Sequence, residues 1–138
     1  MRLSRLKKYF IFLLLVFVVF TGYGVIVRMT GTHKTENIIS FNLEGKPLKL
    51  LVAKTPVEWE HGLMFVRDKK AADGMIFEFP TKEFRTFWNK NTLVNLDIYW
   101  LSGNMVVGKS ELPSIGQTHE IVTVTSPQPV DRVVEVIR

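Results

Sequence analysis

Residues 96–109 read LDIYWLSGNMVVGK, two apolar stretches set either side of Ser102-Gly103-Asn104. Leu96–Leu101 and Met105–Lys109 carry the branched and aromatic side chains that suit a pleated surface. The small polar residues between them include the glycine that a tight strand-to-strand turn favours. This is a β-hairpin signature, and most of the chain from residue 37 onward repeats it.

Upstream, Ile39, Phe41 and Leu43 alternate with Ser40 and Asn42, and Leu48, Leu50 and Val52 follow after Glu44-Gly45-Lys46-Pro47. That is another hairpin, with Gly45 free to take a turn conformation that other residues resist. Met75, Phe77 and Phe79 alternate with Ile76 and Glu78. Ile121–Thr125 and Val133–Ile137 are further strands, parted by the stiff segment Ser126-Pro127-Gln128-Pro129. One helix interrupts them. Thr55 is a good N-cap, Pro56 suits the first helical position, Glu58 closes a capping box and Gly62 ends the helix. Leu63-Met64-Phe65 then reads as core. The pattern implies a mostly β (α+β) domain, a compact antiparallel β-barrel or folded sheet with one short helix.

The first 36 residues differ in kind. Residues 1–8 (MRLSRLKK) are basic, and residues 9–27 (YFIFLLLVFVVFTGYGVIV) form an uncharged apolar run. As a helix this run would rise ~28 Å, close to the hydrocarbon thickness of a bilayer. Arg2, Arg5, Lys7 and Lys8 precede it and Arg28 follows it, so the excess of cations holds the N-terminus in the cytoplasm. The expectation is a single transmembrane anchor at 9–27, a polar linker at 28–36 and an exported domain at 37–138. The chain would then sit in the cytoplasmic membrane with its C-terminal domain outside. The alternative is secretion after signal cleavage near Gly22 and Gly24, although Val25-Ile26-Val27 prolongs the apolar run past such a site.

Charge and composition exclude some functions. The net charge of +5 belongs to the N-terminus: five of the eighteen Lys and Arg lie in residues 1–28, with no Asp or Glu among them. The thirteen that remain equal the thirteen acids, so the exported part offers little electrostatic basis for nucleic-acid binding. There is no cysteine, hence no disulfide, thiolate metal site or Cys nucleophile. His33, His61 and His119 lack metal-ligand spacing, no serine sits in a Gly-x-Ser-x-Gly elbow, and no glycine-rich phosphate loop occurs. Neither a metal nor a cofactor is expected.

Residues 87–98, FWNKNTLVNLDI, carry the most chemistry: two large aromatics, a Lys-Asn-Thr triplet and an acid between Leu96 and Ile98. With TPVEWEHGLMFVR (55–67), DGMIFEF (73–79) and PVDRVVEV (129–136), this run resembles the domain-of-unknown-function 192 family over roughly residues 38–137. Two positions depart from the family pattern: Asn89 stands where Met is usual, and Asn95 where Pro is common. The resemblance implies a small β-rich domain, often exported or membrane-linked, with no established reaction.

The candidate ligand-binding residues are Arg67, Trp88, Lys90, Asn91, Thr92 and Asp97. Arg67 could hold an anion with its planar fork, or pair with Asp97, Asp73 or Glu78. Trp88 could stack on a planar or sugar ligand, or be buried as core. Lys90-Asn91-Thr92 could bind a small polar ligand, or form a turn whose side chains bond the local backbone. Asp97, an acid within an apolar strand, needs a partner, and Lys90 or Arg67 would serve. The functional expectation is a membrane-tethered binding or accessory module for a small polar ligand or an envelope glycan. A hydrolase acting on envelope carbohydrate and a protein-interaction scaffold are the alternatives.

Overall fold

The structure, a computed structural model, describes residues 37–138. The expected anchor at 9–27 and linker at 28–36 lie outside the described residues. Among the described residues no helix is long and apolar enough to cross a membrane.

The domain is mostly β. Strands β1 (Ile38–Leu43) and β2 (Lys46–Ala53) form the first hairpin, which closes on Glu44-Gly45, both at positive φ. Lys46 and Pro47, read from sequence as turn residues, already belong to β2. Helix α1 (Pro56–His61) follows, then β3 (Gly74–Glu83), β4 (Thr86–Trp88), β5 (Leu96–Ser102) and β6 (Met105–Leu112). A four-residue helix, α2 (Ile115–Thr118), precedes β7 (Thr123–Thr125) and β8 (Val130–Ile137).

Six strands form one sheet in the order β1-β2-β3-β8-β5-β6, while β4 and β7 make a separate antiparallel ribbon. The expected closed antiparallel barrel is not formed. Among the described residues β1 and β6 are the outer strands and pair on one side only, and β2 runs parallel to β3. The reason is the segment 54–73. Parallel neighbours need a crossover that returns the chain to the starting end of the sheet, and α1 lies within that return. Strand β8 then inserts antiparallel between β3 and β5, so the remaining strands cannot roll up in sequence order.

Strand alternation sends apolar side chains to both faces. Phe77, Leu96, Ile98, Trp100, Val133 and Ile137 build the larger cluster, joined by Ala53, Leu63, Leu112 and Val130. Leu43, Leu48, Leu50, Ile76, Leu101 and Val134 build the smaller one. Because β8 is buried on both faces, its sequence VVEVI is almost continuously apolar. Of the expected Leu63-Met64-Phe65 core, only Leu63 is buried. Phe65 adopts φ 65° and is 61% exposed.

Candidate functional site

Helix α1 is built as its sequence demands. The Thr55 hydroxyl accepts from the Glu58 amide at 3.4 Å, and the Glu58 carboxylate accepts from the amides of Thr55 and Lys54 at 3.1 and 2.8 Å. The Gly62 amide closes the helix on the Glu58 carbonyl at 2.9 Å. These bonds set the pose of Trp59, whose indole N–H donates to the Ala53 carbonyl at 3.1 Å. The Trp59 ring lies 4.9 Å from that of Phe79, near the far end of β3.

Beyond β3 the chain turns through Phe84 and Arg85 into β4. Reciprocal bonds pin this corner: the Arg85 amide donates to the Ser126 hydroxyl at 3.0 Å, and the Ser126 amide to the Arg85 carbonyl at 2.9 Å. The Arg85 guanidinium lies over the Phe79 ring at 4.1 Å. Strand β4 turns Phe87 inward, edge-on to Phe77 at 4.8 Å and to Trp100 at 5.7 Å. Its neighbour Trp88 stays 39% exposed, and Phe84 63% exposed. The result is an open groove of about 530 Å³ between α1 and β4, lined by Trp59, Glu60, Phe79, Phe84, Arg85, Thr86, Phe87 and Trp88.

The residues expected from sequence divide. Trp88 belongs to the groove, and the Lys90 ammonium sits 4.8 Å from its ring centre. Asn91 and Thr92 form a turn. Asn91 has φ 54° and its carbonyl accepts from the Phe65 amide, while buried Thr92 accepts from the Ile115 amide through its carbonyl. Arg67 is exposed and does not line the groove. Neither does Asp97, whose expected partners were Lys90 or Arg67. Its carboxylate meets Lys109 at 2.9 Å and Arg138 at 3.7 Å instead. Antiparallel pairing of β5 with β6 dictates this, because Asp97 and Tyr99 share a face with Lys109 and Glu111. The hydrogen bond that Lys109 donates to Asp97, more than any other influence, raises the pKa of Lys109.

Three features escaped the sequence reading. Phe84 and Arg85 had no pattern to mark them, because their groove exists only once α1 packs beside β4. Asn89 is fully buried: its amide nitrogen lies 3.1 Å from the Pro113 carbonyl, 2.8 Å from the Thr118 hydroxyl and 3.3 Å from the Glu120 carbonyl. Its oxygen accepts from the Val122 amide at 2.9 Å. Glu135, with only 4% of its surface exposed, lies on the face of the larger apolar cluster, and burial pushes its carboxyl pKa up to about 8. The signal was there, an acid inside VVEVI, the same anomaly that marked Asp97.

The family model DUF192, described as "Uncharacterized ACR", matches residues 39–138. This chain belongs to the DUF192 family. Of its departures from the family pattern, Asn89 is the hub just described, and the Asn95 side chain accepts from the Ser114 amide at 2.8 Å. No curated protein matches the chain. Two solved structures are similar to this chain in fold. A protein from Sinorhizobium meliloti 1021, named a "putative transcription regulator", is 25% identical with a TM-score of 0.59, over 72% of this chain and 76% of its own. A protein of unknown function from Novosphingobium aromaticivorans DSM 12444 is 20% identical with a TM-score of 0.56, over 75% and 83%.

Proposed function

We propose that this DUF192 domain is a binding module, not an enzyme, and that the groove between α1 and β4 takes an envelope glycan or a similar small polar ligand. The observation that carries the reading is the combination of exposed Phe84 and Trp88 with charged Glu60 and Arg85 in one open trough. A sugar ring offers an apolar C–H face to such rings and hydroxyl groups to the charged rim, which matches the mix of apolar walls and few polar groups typical of ligand clefts. The six residues expected from sequence narrow accordingly to Trp88 and Lys90, with Phe84, Arg85 and Trp59 added.

The setting is part of the proposal. Residues 9–27 would anchor the chain in the cytoplasmic membrane, with residues 37–138 exported toward that glycan. The name of the Sinorhizobium protein points to transcription, but the even balance of charge over residues 29–138 lends no support to carrying it over.

Two measurements test this reading. Full-length protein titrated with soluble fragments of envelope glycan should show saturable quenching of tryptophan fluorescence, lost in Phe84→Ala and Trp88→Ala but kept in Arg67→Ala and Asp97→Ala. Binding that survives both aromatic substitutions would sink the groove assignment. A reporter fused after Arg138 should be active only outside the cytoplasm, and activity inside would remove the glycan from reach.

A further inference from the structure

We infer that Glu135 is a proton-controlled latch on α1: while neutral it lets the Gly62 corner seat against the sheet, and when ionised it pushes that corner, and Trp59 with it, away from the groove. The latch is a property of the fold. Only its effect on ligand rests on the function proposed above.

The geometry places the strain on one element. Glu135 Oε2 is buried and has no hydrogen-bond partner among the described residues. A Cβ built on Gly62 would stand 3.7 Å from that oxygen and 3.4 Å from the tip of Phe77, so the helix-ending corner lies against the carboxyl group. In register, Glu135 faces Met75 on β3 and Ile98 on β5, both apolar. A neutral acid tolerates this setting, whereas a carboxylate must find water or a donor.

Among the described residues no counter-charge acts on it. Phe77 on β3, Trp100 on β5, and Val133 and Ile137 on β8 are uncharged. On α1 and its flanks the titratable groups are Lys54, Glu58, Glu60, His61 and Arg67, and Lys54 is paired with Glu78 on β3 at 2.8 Å. Glu58 is engaged in the helix cap, and burial alone accounts for the raised pKa of Glu135. Something must move when the proton leaves. The Glu135 backbone is held in the middle of the six-stranded sheet, between β3 and β5. By contrast, α1 spans six residues with none fully buried, and Gly62 hinges it at positive φ. The helix is the part that yields.

The test follows two reporters on α1, the Trp59 indole N–H and the Gly62 amide, by NMR of the full-length protein in detergent micelles between about pH 6 and pH 9.5. Both resonances should move together with one midpoint near that of the Glu135 carboxyl carbon, read in the same sample. Glu135→Gln should hold them at their low-pH positions throughout, and His61→Gln should leave the transition intact. No transition in the native protein, a midpoint different from that of the Glu135 carbon, a transition that persists in Glu135→Gln, or its loss in His61→Gln would each overturn the latch. Should Glu135→Gln fail to fold, the comparison of midpoints in the native protein still decides. None of these readings uses a ligand, so failure of glycan binding would leave them standing. If both hold, glycan affinity should fall tenfold or more between about pH 6.5 and pH 9 in the native protein and stay level in Glu135→Gln.

Discussion

The Lys90 ammonium lies 4.8 Å from the centre of the Trp88 ring, so a side chain of this protein itself covers a ring that opens onto the groove. A cation held there is attracted by the ring quadrupole, by about 0.5–1 kcal/mol at an exposed site. Lys90→Ala should therefore weaken glycan binding severalfold, and Trp88→Ala tenfold or more, about 1.4 kcal/mol. Both variants should keep the native circular dichroism, since neither residue is core. A calorimetric titration decides, and unchanged affinity in Trp88→Ala would remove that ring from the site.

Asn89 ties together three stretches that lack regular pairing. Its side chain satisfies the Val122 amide and reaches the carbonyls of Pro113 and Glu120 from a fully buried position. Asn89→Ala leaves the half-buried Val122 amide and Pro113 carbonyl without this partner, at about 1–3 kcal/mol each, while the Glu120 carbonyl keeps the Thr118 hydroxyl at 2.7 Å, so the domain should be destabilised by roughly 2–4 kcal/mol. Chemical denaturation would show it as a lower midpoint with an unchanged slope.

Gly74 cannot be replaced. A Cβ there would stand 1.8 Å from the Glu135 carbonyl oxygen, a clash with the backbone of the neighbouring strand. Gly74→Ala should separate β3 from β8 and abolish folding, or cost more than about 4 kcal/mol. Gly103, at φ 61° with open space around it, is the control: Gly103→Ala should cost only about 1 kcal/mol of backbone strain.

Asp97 on β5 pairs across the strand register with Lys109 on the edge strand β6, away from the groove. Its side chain is 17% exposed and its partner Lys109 is 46% exposed. Solvent screens the lysine end of this pair, so Asp97→Asn should change stability only modestly. The Lys109 pKa should fall back toward its ordinary value, as read from its side-chain carbon shifts, because the Asp97 hydrogen bond is the main cause of its elevation.

Glu135 makes stability depend on pH with a definite sign. Its pKa is raised on folding from 4.5 to about 8, so between those values the folded chain holds a proton that the unfolded chain has lost. The contribution of this group is complete below the lower value and is lost as pH rises through the upper one, a change on the order of a few kcal/mol. Thermal midpoints should fall across that window in the native protein and much less in Glu135→Gln. Equal slopes in the two proteins would contradict the assignment.

The hairpins and the capped helix were legible because each is set by neighbours in sequence. Gly45 and the Gly103-Asn104 pair mark their turns, and Thr55, Pro56, Glu58 and Gly62 mark the helix, as found. Sheet order was not, because alternation tells which face a residue takes and not which strand lies beside it. A helix lodged between two strands was nonetheless a sign of the parallel β2–β3 pair that the barrel reading overlooked. For the same reason Asp97 was singled out correctly as needing a partner, yet its partner Lys109 came from cross-strand register. Trp88 of the groove, with Lys90 beside its ring, was legible within FWNKNT. Phe84 and Arg85 lie just upstream in the same stretch but carry no pattern that marks them, whereas Trp59 comes from α1 and reaches the groove only by folding.

The middle of the sheet is its latest arrival. With β8 inserted between β3 and β5, the pieces made first, β1-β2-β3 on one side and β5-β6 on the other, have no partner edge until residues 130–137 emerge. A nascent chain must therefore keep two half-sheets apart, each with an unzipped border, while the final strand is synthesised. A chain cut short before Val130 would leave those borders permanently bare, and its fate would be aggregation, not partial activity.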